Sequence, residues 1–326
     1  MRIGPFAGGL LGLLVLGVVP VVHASSSPDF SLERSLFLLS ERALTQQDDR
    51  EFLATREVLA EYPLLQYLEY RLLARNLSAA TPGFIAAFLE KYADGPLAGM
   101  LRNSYLDHLA KERNWDTFLR FAGDGTGLST ERTCLRMEAL LHTGSSAAAL
   151  DGVETVWLHG HSRPKACDAA LDAWRADGGL TPDLAWQRLE LAIAADQTGL
   201  ARYLRRYLAP ADRPWADRWL ELEANPERLL RSGFQVGDHP AAGRILESAF
   251  LRWIPRDLEA ALAAWQTHGH RLNLEPEREH RIQHAIALRL AVRNQPETLD
   301  FMARLPEAAF DDQLRQWQVR AALAAG

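Results

Sequence analysis

Helix-breaking residues recur at short and regular intervals, and this spacing limits the fold more than any other feature of the sequence. Proline and glycine signals interrupt amphipathic segments every 14 to 20 residues or so, and pairs of segments recur at about 33 residues, as from Thr81 to Asn114. A period of this size is typical of stacked helical hairpins, because a single hairpin cannot bury its apolar face alone. The sequence therefore predicts a solenoid.

One segment shows how the individual helices are recognised. Thr81-Pro82 combines a residue that caps helices with a proline suited to the first helical position. Phe84, Phe88 and Tyr92 follow at four-residue spacing and lie on one face of the predicted helix. The glycine and proline of residues 94–96 then end it.

Composition favours helices throughout. Leu, Ala, Arg and Glu dominate the sequence, and long runs of alternating Val or Ile are missing. The predicted fold class is all-α, without significant β structure. A single compact helical bundle is the alternative, but the predicted helices are too many and too short for it. No low-complexity linker follows Ser27, so residues 25–326 are predicted to form one continuous solenoid domain.

The first 24 residues are predicted to be a signal peptide. Arg2 precedes an apolar run from Ile3 to Val22, and Val22 and Ala24 occupy the two positions that signal peptidase reads. A membrane anchor is the alternative interpretation of the same run. Later segments do not approach the apolar length of a membrane span. The mature chain is therefore expected to be soluble and exported.

The charge balance argues against a nucleic-acid partner. Removing residues 1–24 takes away one arginine and no acidic residue, so the net charge falls from -6 to -7. Arg202, Arg205 and Arg206 form a small basic cluster, which is interpreted as a solvated helix face instead of a site for a polyanion.

Cys134 and Cys167 are the two cysteines of the chain. Two cysteines in an exported protein usually form a disulfide, and closing this loop should stabilise the fold by roughly 3–4 kcal/mol. Two free buried thiols are the alternative. Neither cysteine has the local context of a thiol nucleophile.

Histidine pairs give no convincing metal site. His280 and His284 are four residues apart on a predicted helix near Glu277 and Glu279. A zinc protease motif would need a glutamate directly after the first histidine, and that residue is missing. His159-Gly160-His161 has no third ligand at a recognisable spacing. Both pairs are interpreted as polar surface, and no metal or cofactor is predicted.

Tryptophan could stack on sugars, but most of the nine tryptophans occupy core-like helix positions. The core-like positions are Trp115, Trp157, Trp174, Trp186, Trp253 and Trp265. Trp215 and Trp219 are less clear, and one of them is a candidate for exposure.

Two further segments resemble known motifs only superficially. Glu247-Ser248 has the order of the catalytic pair in goose-type lysozyme-like folds, but no Gly-Leu-Met-Gln stretch follows within forty residues. Glu247 is therefore interpreted as an ordinary solvated helix residue. The glycines between Gly123 and Gly127 do not follow a strand, so they do not form a nucleotide loop. From the residues alone, the chain is a binding or scaffold solenoid.

Several segments together resemble the large soluble lytic murein transglycosylases of Gram-negative bacteria. The most specific is the stretch from Tyr62 to Tyr70, which is similar to a Tyr-Pro-Leu…Tyr-Leu-Glu-Tyr signature of that family. The other matching segments are Leu101-Arg102 to Tyr105-Leu106, Leu109-Ala110, Trp115, the Cys134 and Cys167 pair with Thr143-Gly144, Trp157-Leu158 and Gly160 between them, Pro164, Ala166-Cys167-Asp168, Trp174-Arg175, Thr198-Gly199-Leu200 and Asn225-Pro226.

This resemblance implies a fold and an activity. In the family, the corresponding N-terminal region is a horseshoe or ring of short helices, and a linker and a lysozyme-like catalytic domain follow it. The family cleaves the β-1,4 bond between N-acetylmuramic acid and N-acetylglucosamine without water. One glutamic acid protonates the leaving oxygen, and the 6-hydroxyl of the muramic acid closes a 1,6-anhydro ring.

The sequence departs from the family at the catalytic motif. It ends at Gly326 before a catalytic Glu-Ser and Gly-Leu-Met-Gln stretch appears, so no catalytic residue is predicted and the chain alone is expected to be inactive. It is expected to be the superhelical part of a periplasmic enzyme, with peptidoglycan glycan strands as partners. The alternative is a free-standing periplasmic solenoid that binds peptidoglycan or a cell-wall protein.

Overall fold

The computed structural model describes residues 30–231 and 238–325. The predicted signal peptide lies outside the described residues. The described chain consists of α-helices, short 3₁₀ helices and connections, without a strand, so the all-α prediction is confirmed. None of its helices combines the length and apolar character needed to span a lipid bilayer.

The helices fall into two compact units, with the division after His108. The described part of the first unit contains α1 (Ser31–Thr45), α2 (Asp49–Thr55), α3 (Leu65–Arg75), α4 (Pro82–Lys91) and most of α5 (Pro96–Lys111). The second unit contains α6 (Trp115–Ala122), α7 (Thr130–His142), α8 (Ser146–Leu150), α9 (Val153–Trp157), α10 (Asp168–Ala176), α11 (Pro182–Ala194), α12 (Thr198–Leu204), α13 (Arg213–Ala224), α14 (Ala242–Arg256), α15 (Leu258–His268), α16 (Pro276–Val292), α17 (Thr298–Met302) and α18 (Asp312–Ala325).

Side-chain caps begin several helices as the sequence predicts. The Thr81 hydroxyl accepts a hydrogen bond from the backbone N–H of Phe84, and the Thr181 hydroxyl accepts one from Leu184 at 3.2 Å. A proline follows each threonine at the start of its helix. Because these caps satisfy backbone donors that a helix cannot pair internally, they fix where α4 and α11 begin.

Two helix ends share a backbone motif in which an N–H bonds to the carbonyl five residues earlier, and neither uses glycine. The N–H of Asn114 bonds to the carbonyl of Leu109 at 2.9 Å, and the N–H of Gln197 bonds to that of Ala192 at 2.8 Å. The residues just before the donors, Arg113 and Asp196, have φ of 54° and 58°. Such closed helix ends normally use glycine in the left-handed conformation. The breaks at Arg113 and Asp196 therefore give no glycine signal.

The first unit buries its own apolar core. Phe52 and Leu59 are fully buried, and Leu65 and Leu68 of α3 are almost so. The Tyr62 ring lies 5.6 Å from the rings of both Phe30 and Phe37. The segment from Tyr62 to Tyr70 is therefore part of the structural centre of this unit.

The second unit buries a longer core that runs from Cys134 to Leu314. Its larger helix–helix contacts join helices at most three places apart in chain order, such as α11 with α12, and α14 with α13, α15 and α16. Helices that pack mainly against sequence neighbours form a stack in which each hairpin covers the next. This arrangement agrees with the predicted solenoid.

A disulfide joins Cys134 of α7 to Cys167 in the 3₁₀ helix Lys165–Cys167. Both cysteines are fully buried, and their Cα atoms are 4.7 Å apart. The bond closes a segment that includes α8 and α9, which have five residues each. Helices this short are not stable by themselves in water, so the crosslink and the packing hold them.

Gly160 lets the following loop pack tightly against α11. A Cβ at this position would lie 2.5 Å from the carbonyl oxygen of Leu191 and 2.9 Å from the Cβ of Ala195. Only a glycine avoids these contacts without a shift of the backbone. The loop that carries His159 and His161 is thereby held against the helix.

Candidate functional site

An open groove of about 560 Å³ lies in the second unit along α11, α13, α14 and α16. Charged side chains line much of it, and the exposed apolar residues Leu251 and Pro255 of α14 line the rest. The charged groups come from facing helices, because each helix of the stack places a polar stripe beside the stripe of its neighbour.

Glu223 of α13 lies behind this groove and is 4% exposed. Its carboxylate accepts hydrogen bonds from Trp219 Nε1 at 3.2 Å, from the Ser248 hydroxyl, and from Arg252 Nε at 2.6 Å. Arg252 also bonds to Asp196. These donors compensate the burial of the carboxylate, which would otherwise be costly, and the hydrogen bonds fix their orientation.

Glu247 of α14 forms a second buried ion pair. Its carboxylate contacts Arg278 Nη1 at 2.6 Å and Arg281 Nε at 2.5 Å, and the residue is 8% exposed. The interpretation of Glu247 as a solvated helix residue is therefore wrong. The sequence could not show this, because both partners lie more than thirty residues away on α16.

The charge state of Glu247 does not suit a proton donor. Burial opposes its ionisation, but hydrogen bonds and positive charge from Arg281 and Arg278 outweigh burial and hold the pKa of its carboxyl below 4.5. A general acid at neutral pH needs a raised carboxyl pKa. Glu247 is therefore an ionised structural group, although it precedes a serine.

A third ion pair completes the groove. Arg244 Nη2 lies 2.7 Å from Glu190 Oε1, which also accepts a hydrogen bond from Trp186 Nε1. Guanidinium donors and carboxylate acceptors thus both line the groove, and ion pairs hold them in place. Such a lining can exchange hydrogen bonds with a ligand rich in hydroxyl groups, while Leu251 offers an apolar contact.

The histidine pairs do not assemble a metal centre. His284 Nε2 lies 3.2 Å from Asp311, and the rings of His159 and His161 are 5.5 Å apart. Desolvation and the charge of Arg163 lower the pKa of His159. Within the described ranges, three or more metal-binding side chains do not come together.

The described tryptophans do not form an exposed stacking platform. Those buried are Trp157, Trp174, Trp219, Trp253 and Trp265, and those partly buried are Trp115, Trp186, Trp215 and Trp317. Of the two candidates for exposure, Trp219 is buried and Trp215 is partly buried. The Trp215 ring stacks on His239 with centroids 4.9 Å apart.

The basic cluster on α12 and the turn after it is partly neutralised. Arg205 forms a bidentate pair with Asp217, at 2.5 and 2.7 Å. Arg202 and Arg206 are exposed, and Arg206 lies over the Tyr203 ring at 4.1 Å. This arrangement fits a solvated helix face.

The buried Glu223 and the partly buried Glu190 were not predicted from the sequence. One signal was available, because each acid follows a tryptophan at four-residue spacing and accepts its indole N–H. The remaining partners come from other helices, and no local pattern identifies them.

Comparisons with curated proteins identify relatives of the chain. No protein-family model matches it. A soluble lytic murein transglycosylase of Escherichia coli K12 is 30% identical over 254 residues, which is 77% of this chain and 38% of that protein. The protein of the same name in Salmonella typhimurium is 30% identical over 203 residues, covering 62% of this chain and 31% of that protein.

Solved structures agree with these relatives. An inactive mutant of a lytic transglycosylase from Pseudomonas aeruginosa matches 88% of this chain and 47% of its own, with a TM-score of 0.68 and 29% identity. A 70-kDa soluble lytic transglycosylase in complex with bulgecin A matches 91% of this chain and 45% of its own, with a TM-score of 0.70 and 23% identity. The chain thus spans less than half the length of these proteins.

Proposed function

Because this chain is a homologue of the soluble lytic murein transglycosylases, we propose that it is the superhelical scaffold of such an enzyme. In this role it holds peptidoglycan glycan strands close to the catalytic centre. The observation that supports the proposal is the 30% identity over 77% of the chain. The match to the Pseudomonas aeruginosa structure over 88% of the chain supports the same assignment.

The reaction that this scaffold serves is cleavage of the β-1,4 bond between N-acetylmuramic acid and N-acetylglucosamine, with formation of a 1,6-anhydro ring. We assign the positioning of the strand, and not the proton donation, to this chain. The acid that precedes a serine, Glu247, is ion-paired with Arg278 and Arg281 and stays ionised. It therefore supports the groove instead of protonating a leaving oxygen.

The groove along α11, α13, α14 and α16 is the surface that we assign to glycan. Its paired groups, such as Arg244 with Glu190, present donors and acceptors in rigid positions, and each is already charge-compensated. A neutral saccharide can therefore bind there without leaving a charge uncompensated. Leu251, which is 39% exposed, can contact the apolar face of a sugar ring.

We place the protein in the periplasm. The buried Cys134–Cys167 bond requires an oxidising compartment to form and persist. The predicted signal peptide of residues 1–24 provides the route of export. Murein, which the names of the relatives give as their substrate, is reached from that compartment.

Retention on purified murein sacculi tests the proposal. The mature chain should co-sediment with sacculi, and Arg244→Gln should weaken retention at least fivefold, about 1 kcal/mol, because it removes a donor from the groove. Arg228→Gln is the matched control, since Arg228 also pairs with a glutamate at 2.7 Å but lies outside the groove. Equal retention of the two variants would refute the assignment of the groove, and no retention of the unmodified chain would refute the scaffold role.

A further inference from the structure

A second cavity in the same unit, of about 370 Å³, has a different chemistry. It lies between the loop after α9 and helices α10, α11 and α12, and its lining includes Trp157, Arg163, Arg188 and Tyr203. In the groove described above the charges are paired. Here two arginines, Arg163 and Arg188, have no acidic partner among the described residues.

Arg188 of α11 is the central residue of this pocket. It is only 4% exposed, yet within the described residues it makes just one weak hydrogen bond, from Nη2 to the carbonyl of His161 at 3.4 Å. Its guanidinium lies 4.1 Å from the centre of the Trp157 ring, and its Nε is buried without a hydrogen-bond partner among the described residues. A buried guanidinium normally contacts a carboxylate, because removing the charge from water is costly.

Arg163 adds a second cation to the same cavity. It is half-buried, and its Nε is also buried without a hydrogen-bond partner in the described chain. Desolvation and then the positive charge of Arg163 lower the pKa of Arg188 to about 10, so Arg188 remains charged at neutral pH. The guanidinium of Arg163 is charged under the same conditions. The pocket therefore holds two like charges in poorly solvated positions.

The remaining side chains define the charge of the missing partner. Arg175 also lines the pocket, but Asp172 pairs with it, and Asp168 is exposed. Three arginines against two aspartates leave one excess positive charge, which a monoanion balances and a dianion exceeds. A carboxylate is a planar monoanion that accepts two parallel N–H bonds from a guanidinium. The Tyr203 side chain and the Ser162 hydroxyl add neutral hydrogen-bonding groups to the lining.

We propose that this pocket binds a carboxylate group of a small peptide between Arg163 and Arg188. Resting on the proposed function, the ligand is the acidic stem peptide that murein carries on its glycan strands. The pocket and the groove would then recognise two different parts of one polymer, the groove its neutral sugars and the pocket its negative charge.

Isothermal titration calorimetry of the mature chain tests this site. The probes are N-acetyl-L-Ala-D-isoglutamine, a dipeptide with one carboxylate, the corresponding uncharged diamide and inorganic phosphate. We expect one molecule of the dipeptide to bind, and the diamide to bind at least tenfold more weakly. Arg163→Gln and Arg188→Gln should each weaken dipeptide binding at least tenfold, whereas the surface variant Arg228→Gln should leave it unchanged.

Several outcomes would overturn the proposal. No heat of binding for the dipeptide, equal affinity for the diamide, or tighter binding of phosphate than of the dipeptide would each contradict a carboxylate site. Dipeptide binding that persists in a chain which fails to co-sediment with sacculi would refute the scaffold role alone and leave the pocket standing. Retention on sacculi without dipeptide binding would refute the carboxylate pocket and leave the scaffold role standing.

Thermal unfolding separates a binding role from a purely structural one. Arg188→Met keeps most of the side-chain volume and removes the buried charge. If Arg188 exists to receive an anion, this variant should melt at the temperature of the unmodified chain or above it, and the dipeptide should raise only the melting temperature of the unmodified chain. A lower melting temperature for Arg188→Met, with no effect of the dipeptide on either protein, would show that Arg188 only supports Trp157.

Discussion

Reducing the disulfide should cost the second unit a calculable part of its stability. The bond joins Cys134 and Cys167 at a sequence separation of 33. The chain-entropy relation for a loop of this length gives an entropy near -12.5 cal/mol/K, or about 3.7 kcal/mol at room temperature. The bond also spans α8 and α9, which are too short to form alone, so its loss should destabilise these two helices as well as lower the free energy of unfolding.

The assay is urea unfolding of the mature chain, followed by far-ultraviolet circular dichroism with and without dithiothreitol. The free energy of unfolding should fall by roughly 3–4 kcal/mol on reduction, and the melting temperature by roughly 6–16 °C. The control is the double variant Cys134→Ala/Cys167→Ala, which should behave like the reduced protein with and without reductant. Denatured, untreated protein should show no free thiol on titration.

Two results would refute this reasoning. An unchanged free energy of unfolding after complete reduction would mean that the disulfide does not restrict the unfolded chain as the chain-entropy relation assumes. Two titratable thiols in freshly exported protein would show that the bond does not form in the cell.

Further predictions concern single residues and the reaction. The carboxyl pKa of Glu247 is lowered in the folded chain, so the contribution of its carboxylate to stability is present above the ordinary carboxyl pKa and is lost as the pH falls through the lowered value. In Glu247→Gln the free energy of unfolding should drop by about 3 kcal/mol at pH 7 and fall less steeply as the pH is lowered into the acid range. An equally steep pH dependence in the variant would contradict this. Arg113→Gly should raise the free energy of unfolding in urea by about 1 kcal/mol, because glycine removes the strain at φ 54°, and a loss of stability would show that the Arg113 side chain matters more. Gly160→Ala should lower it by roughly 1–3 kcal/mol through the clash with Leu191, whereas Gly199→Ala, which meets no atom within 4 Å, should not. Sacculi incubated with the mature chain should release no anhydro-muropeptides by mass spectrometry, and their detection would show that a catalytic acid has been overlooked.

The start of a helix was predicted correctly where a capping residue and a proline stand next to each other in the sequence. Thr81-Pro82 and the corresponding pair at Thr181 begin helices at the expected residues. The end of α11 at Asp196 was not predicted, because its left-handed backbone is stabilised by a hydrogen bond between residues five apart and not by glycine.

The candidate site was less predictable, because burial depends on helices distant in sequence. Glu247 reads as a polar residue on an amphipathic helix, and only the packing of α16 on α14 makes it a buried ion pair. Arg188 likewise lies in a helical segment where an arginine would ordinarily face solvent. The hydrogen bond of Arg188 to His161 comes from a loop more than twenty residues earlier, which Gly160 allows to pack against α11.

Hydrogen–deuterium exchange of the mature chain with peptide-free murein glycan strands, amidated at the lactyl carboxyls so that they are uncharged, tests the scaffold assignment most directly. The strands should slow exchange in α14 (Ala242–Arg256) and α16 (Pro276–Val292), which line the groove, and leave the first unit unchanged. Uniform exchange with and without strands, or protection confined to residues 30–108, would contradict the account.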